Sequence, residues 1–476
     1  MNDKLLFFNG IDASTGDYLL PPMSATDVSR IAQGQQLDPQ HLSELKWRYR
    51  ESTEGHYGVK EGINAKKLEE TGWGVIFAQG ADPAIREALS ELLGHRRKQA
   101  SLTHDNYYKE YVSDDGYRPG ESKLEFLSRH GAGPGPVDPE NVPYYLLLVG
   151  DPETIPFRFQ YQLDVQYAVG RIHFDTVPEY AQYAHSVVAA ETANASLPRR
   201  AVFFGVANPD DPATTMSANH LARPLADLIK NGQPNWNVET ILRDDASKSR
   251  LTRLLGGDDS PALLFTASHG MGGQGDPLQT KKQGALLCQD WPGPQQWQKA
   301  IPPDFYFGGD DITDSARIPG MISFHFACYG AGTPSLDEYA HENPSHRETL
   351  APQAFVAHLP KRLLGHPNGG ALAVIGHVER VWGWSFVSQA GDRQLAVFES
   401  TLKRIMDGYP VGAATEFLNE RYAELSSDLS VELEDISFGK KPDDEKMCGL
   451  WTANNDARSY TIVGDPAVRL PVSSGP

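Results

Sequence analysis

The sequence predicts an α/β fold built on a mostly parallel sheet. Three observations lead there: short apolar runs such as YYLLLV and ALAVI, helical segments alternating with them, and 44 glycines and 34 prolines punctuating a chain of 476 residues. Continuous apolar runs suit strands covered on both faces, and the Gly and Pro content implies many connections between compact elements. Length alone suggests about three domains or subdomains. The balance of 43 basic and 62 acidic residues, a net charge of −19, repels phosphate backbones and anionic lipid surfaces, so no nucleic-acid or membrane partner is expected.

Residues 1–70 are polar and irregular, with a modest helical pattern over 38–50 and no legible role. From there a βα unit is expected, with a strand over 73–77 and a helix over 82–99 opened by Asp82-Pro83 as cap and first-turn signals. A Gly- and Pro-rich stretch leads to a buried strand over 144–149. Residues 164–172 (DVQYAVGRI) read as a strand pair and 178–191 as a helix. The break at 196–200 marks the expected boundary between an N-terminal α/β subdomain (71–196) and a catalytic subdomain (197–476). Strands are then expected over 201–206, 238–242, 263–267, 321–327 and 371–375, with helices over 220–230 and 391–406 among them.

Cys288, Cys328 and Cys448 are too few for a disulfide framework, and no C-x-x-C pair indicates zinc, so neither a metal nor another cofactor is expected. The apolar run of Leu5 to Phe8 is too short for a signal-peptide core and lies behind Asp3, and no run of eighteen apolar residues occurs. A cytoplasmic protein is the expectation.

In parallel sheets chemistry sits at the carboxyl ends of strands. Two such ends carry reactive groups: PALLFTASHG delivers His269-Gly270, and MISFHFACYG delivers Cys328. A thiol and an imidazole brought to one edge make a cysteine-hydrolase pair, and glycine beside them lets backbone N–H groups approach an oxyanion. The ordinary alternative for each is a small buried hydrophobe and a turn residue. Two other motifs are set aside. Gly270-x-Gly272-x-x-Gly275 matches a dinucleotide fingerprint but is followed by loop sequence rather than a helix. His341 to His346 has one residue too many for a zincin motif, and Pro344 breaks the helix it would need.

TASHG and FACYGAG resemble the His-Gly and Ala-Cys blocks of caspase-like cysteine peptidases, and within these the gingipain-like group. YYLLLVGDPETIP, the Asp164-x-x-Tyr167 element, GHVERVWGW and the closing YTIVGDPAVRLP occur in the matching order. The resemblance implies a caspase-like α/β sandwich of two gingipain-like subdomains, with Cys328 as nucleophile, His269 as its acid–base partner, and the N–H groups of Gly270 and Cys328 as oxyanion donors. It places Asp164 at the base, and Trp382 at the wall, of a pocket for Arg, then Lys, so that the expected partner is a protein with an exposed basic site. The long interval between His269 and Cys328 suggests an inserted loop over 271–319. That loop carries Lys281-Lys282 and Arg317, and an activating protease or regulatory protein acting there would make the chain a zymogen. Bacterial caspase-like and CHAT-type proteins add the expectation of a regulated intracellular protease in antiviral defence or programmed death. The rival readings are a catalytically silent interaction module and a cysteine-dependent acyl hydrolase of small molecules.

Overall fold

Each apolar run becomes a strand because burial on both faces leaves no polar alternation to keep. The computed structural model describes residues 5–34, 46, 58–60, 62–192, 197–337, 347–383, 386–387 and 393–472. In chain order the strands are β1 (Ile11–Asp12), β2 (Trp73–Phe77), β3 (Tyr108–Tyr111), β4 (Tyr145–Val149), β5 (Ala168–Ile172), β6 (Arg200–Gly205), β7 (Asn237–Leu242) and β8 (Leu263–Ala267). They continue with β9 (Met271–Gly272), β10 (Leu286–Leu287), β11 (Tyr306–Phe307), β12 (Ile322–Phe326), β13 (Gly332–Thr333), β14 (Phe355–Val356), β15 (Ala373–His377) and β16 (Tyr460–Gly464). Ten of them form one sheet in the order β3-β2-β4-β5-β16-β15-β12-β8-β6-β7. Every neighbouring pair is parallel except β15–β16.

That one reversal organises the site. β8, β12 and β15 end at a common edge, with Phe326 opposite Ala267 and His325 opposite Gly376. Because β16 turns back, with Tyr460 opposite His377 and Ile462 opposite Gly170, the amino end of β5 opens onto the same edge. The strands from 73–172 thus stand on one side of β16 and those from 200–377 on the other.

Several elements differ from expectation. The strand pair expected over 164–172 is a helix, Phe157–Asp164, a short turn, and β5 alone. Only Asp164 of that stretch is helical, as the last residue of a helix that buries Phe157, Phe159, Tyr161 and Leu163, and residues 165–167 are turn, which leaves room for one strand. The helix expected over 82–99 is two, Pro83–Ala88 and Ser90–Ala100, meeting at Leu89. That expected over 220–230 begins earlier, with a π-helical stretch Ser217–Ala222 leading into Arg223–Gly232. The helix expected from 391 starts at Ala396, and the one expected over 38–50, the His341–His346 motif and the first residue of the break at 196–200 lie outside the described residues, Lys46 apart; residues 197–199 lead into β6, which begins at Arg200. Two long helices near the carboxyl end, Glu416–Ser437 and Asp444–Arg458, were not anticipated. With Ala25–Gln33 they enclose a separate apolar cluster of Leu6, Phe8, Val28, Trp382, Leu429 and Trp451.

A buried ion network fastens β2 to β16. Arg96, 1% exposed, reaches Asp465 through Nε at 2.7 Å and Glu191 through Nη2 at 2.7 Å. Asp465 also accepts the Trp73 indole N–H at 3.0 Å. Removing one partner of such a pair strands the other charge. Asp465→Ala is therefore expected to lower unfolding stability by about 3–5 kcal/mol, read from the urea midpoint.

Candidate active site

The loops after β8 and β12 leave the sheet side by side, so Ser268-His269-Gly270 and Ala327-Cys328-Tyr329 meet. A side-chain carbon at Gly270 would overlap the carbonyl oxygen of Cys328, so only glycine permits this approach. The chain beyond β15 closes the other side. Tyr329 and Glu379 both hold positive φ, 58° and 74°, and the Tyr329 N–H donates to Glu379 O at 2.6 Å. Two non-glycine residues in the left-handed region flanking a thiol are backbone strain of the kind that accumulates at functional sites. Behind them Arg380, buried, pairs with Asp337 at 2.9 Å and Glu379 at 2.7 Å.

His269 and Asp211 are both fully buried, with Nε2 and Oδ2 2.8 Å apart. Asp211 caps the short helix Pro212–Met216 through the N–H groups of Ala213 and Thr214 and accepts the Tyr18 hydroxyl at 2.6 Å and the Thr214 hydroxyl. Burial opposes its ionisation, but the electrostatic pull and hydrogen bond of the His269 ring N–H, with those hydroxyls, prevail and hold the carboxyl down at about 2. A carboxylate only accepts, so Nε2 carries the ring proton and Nδ1 presents a lone pair. That nitrogen accepts the Gly10 N–H at 2.8 Å. Sequence reasoning missed Asp211, although Asp211-Pro212 carries the same cap signal as Asp82-Pro83.

Cys328 is also fully buried. Its thiol donates to the carbonyl oxygen of Asn9 at 2.9 Å and accepts the Val381 N–H at 3.2 Å. Burial pushes it up to about 12, against the opposing pull of the Val381 N–H and Arg380, so the group stands protonated. The N-terminal segment, whose role the sequence left blank, thus occupies the site. It is held by β1 pairing with β9, by the Leu6–Met23 bridge, and by Phe8 edge-on to Trp382 at 4.5 Å. Ile11 and Ala13 join Met271, Leu287 and Trp291 in a further apolar cluster.

Of the residues singled out in the sequence, Cys328, His269 and Gly270 are brought together. Asp164 ends its helix on the same sheet edge, in a small cleft with Val169, Ile375, Tyr460 and Ile462. Trp382 lies in the cluster with Phe8 and Trp451. The interval 271–319 is built rather than loose: β9, β10, β11 and Trp291 frame His269, and Lys282 is paired with Asp276 at 2.9 Å. The glycines of the dinucleotide-like motif run into β9 and a turn, and the next helix, Gln279–Lys282, has only four residues. Cys288 is buried in the main core and Cys448 beside Trp451; desolvation raises both thiols, Cys448 to about 12. Among the described residues no group of three or more His, Cys, Asp or Glu is placed to hold a metal ion, and no helix is long and apolar enough to cross a membrane.

In overall course the chain is similar to solved cysteine proteinases of the gingipain type. Against the Arg-specific cysteine proteinase gingipain R (RGPB), identity is 13% and the TM-score 0.45, over 87% of this chain and 80% of that one. A structure described as a protease gives 10% and 0.47, over 88% and 80%. The complex of Porphyromonas gingivalis RgpB pro- and mature domains gives 12% and 0.44, over 84% and 80%. No protein-family model and no curated protein matches the sequence. The likeness is one of fold; the chemistry below rests on the site's own geometry.

Proposed function

We propose that the chain is a cysteine endopeptidase in which Cys328 attacks a peptide carbonyl, His269 carries the proton to the leaving amine, and Asp211 orients His269. One observation carries this reading: a peptide bond, Asn9–Gly10, already lies between the two groups, its oxygen 2.9 Å from Sγ and its nitrogen 2.8 Å from Nδ1. Proton transfer by a placed imidazole contributes about 10² to 10⁴ in rate. The N–H groups of Gly270 and Cys328 are the proposed oxyanion donors, worth roughly 3 kcal/mol each when aligned.

For specificity we keep the pocket of Asp164 and Trp382, which suits a guanidinium pairing with a carboxylate and stacking on a ring. It is supported by the reversal at β16, which brings Asp164 to the catalytic edge. The division into subdomains at 196/197, a cytoplasmic location and a role in defence or cell death rest on the sequence alone.

The test is a fluorogenic peptide panel varying only the residue that donates the scissile carbonyl, run on the full chain and on a Phe8→Asp variant that unseats the N-terminal segment. Cleavage after Arg, then Lys, is expected, with Cys328→Ala silent. Equal cleavage after Asp or Leu would remove Asp164 from the pocket. No cleavage by either protein would sink the peptidase reading.

A further inference from the structure

We propose that the chain's own Asn9–Gly10 bond is a substrate of Cys328, and that its hydrolysis in cis uncovers the site. The inference rests on the peptidase reading of Cys328 and His269 and goes beyond it by naming a bond. A segment that merely blocked a cleft could fill it with any side chain. Here the two contacts fall on the two ends of one peptide unit, the oxygen of the carbonyl that a thiol would attack at carbon and the nitrogen that an imidazole would protonate. The thiol thus lies against the carbonyl whose carbon it would attack, and the imidazole against the nitrogen that would leave.

Two further features fit a bond presented for cutting. Gly10 has φ +110°, and a side-chain carbon there would meet Leu19 Cδ1 at 2.7 Å and Cys328 Sγ at 3.2 Å, so the residue after the bond must be glycine for the carbonyl to come this close. The Asn9 carboxamide is buried with neither its oxygen nor its nitrogen hydrogen-bonded, so this side chain costs free energy in the docked state and favours release once the bond is cut. Asn9 is not the basic residue expected in this position of a protein substrate. Tethering supplies what a preferred side chain would otherwise supply, because a bond held in place reacts as if at very high concentration.

The step balances without an oxidant or reductant. His269 Nδ1 takes the thiol proton as Sγ bonds to the Asn9 carbonyl carbon and the π pair moves to oxygen. The tetrahedral species collapses, the carbon–nitrogen bond breaks, and the proton on Nδ1 passes to the Gly10 nitrogen. Water then adds to the thioester, giving a proton to Nδ1, and its collapse leaves a carboxylic acid at Asn9, a restored thiol and a chain beginning at Gly10.

The experiment incubates purified full-length chain and follows intact mass and N-terminal sequence alongside hydrolysis of an Arg-containing fluorogenic peptide. The expected result is a species beginning at Gly10, formed at a rate independent of protein concentration, with peptide hydrolysis rising at least tenfold in step. Cys328→Ala and Cys328→Ser should both remain uncut while keeping the circular dichroism of the parent. A preparation that hydrolyses the peptide yet keeps its Asn9–Gly10 bond, or is cut elsewhere, overturns this proposal and leaves the peptidase reading intact. If neither self-cleavage nor peptide hydrolysis occurs, even in Phe8→Asp, both fall together.

Discussion

Asp211→Asn should lower kcat for peptide hydrolysis by about 10² to 10⁴ with KM little changed, by analogy with the general effect of removing the orienting acid from an imidazole. Both oxygens of Asp211 are engaged: Oδ1 accepts from Tyr18 and Ala213, Oδ2 from His269 and Thr214. An asparagine must turn its NH₂ toward one of these sets and so face a backbone N–H. Turned toward His269, it donates to Nε2 and moves the ring proton to Nδ1, where the nitrogen can no longer accept the thiol proton. Because the aspartate is held down at about 2, it is ionised above about pH 3, and the pH profile of peptide hydrolysis by the unmutated chain should show no limb from it. A KM that rises in proportion to the loss in kcat/KM, with kcat intact, would show that Asp211 shapes binding and not proton transfer.

Unseating the N-terminal segment with Phe8→Asp should raise the alkylation rate of Cys328 at pH 8 by about 50-fold or more. Lifting the thiol from its ordinary value of 9.0 to about 12 reduces the thiolate population by roughly 10³, while the greater intrinsic nucleophilicity of a high-pKa thiolate restores part of this, about twentyfold. Exclusion of reagent from a fully buried sulfur adds to what remains. The pH dependence has a definite sign. The docked segment favours the protonated thiol, so docking is strongest below about 9 and weakens as pH rises from there toward 12. Labelling of the intact chain should keep climbing across that window, whereas Phe8→Asp levels off earlier. Equal rates in the two proteins, read by quantitative mass spectrometry of the Cys328 peptide, would mean that the segment does not guard the thiol.

The central strands and the two reactive strand ends were legible because their signals are local. A run such as YYLLLV or ALAVI lacks polar alternation only if both faces are covered, and a glycine directly after His269 already hints at close backbone approach. The long helix Glu416–Ser437 was legible in principle, since Leu418, Tyr422 and Leu429 fall on one helical face. The stretch 164–172 misled because nothing local marks where the helix ending at Asp164 gives way to β5 after a short turn.

By itself the sequence determined the α/β class, the positions of most strands of the main sheet and the selection of Cys328 and His269 as candidates, all of which follow from hydrophobic period and residue chemistry within a few positions. The tertiary structure alone decided which distant groups complete the pair. Asp211 reaches His269 because β6 lies beside β8 with Gly205 opposite Ala267, and the loops that follow therefore emerge together. Asn9 and Gly10 reach the thiol because β1 pairs with β9 and Phe8 finds Trp382. Strand order, register and docking are set by burial summed over the whole core, and no local periodicity encodes that sum.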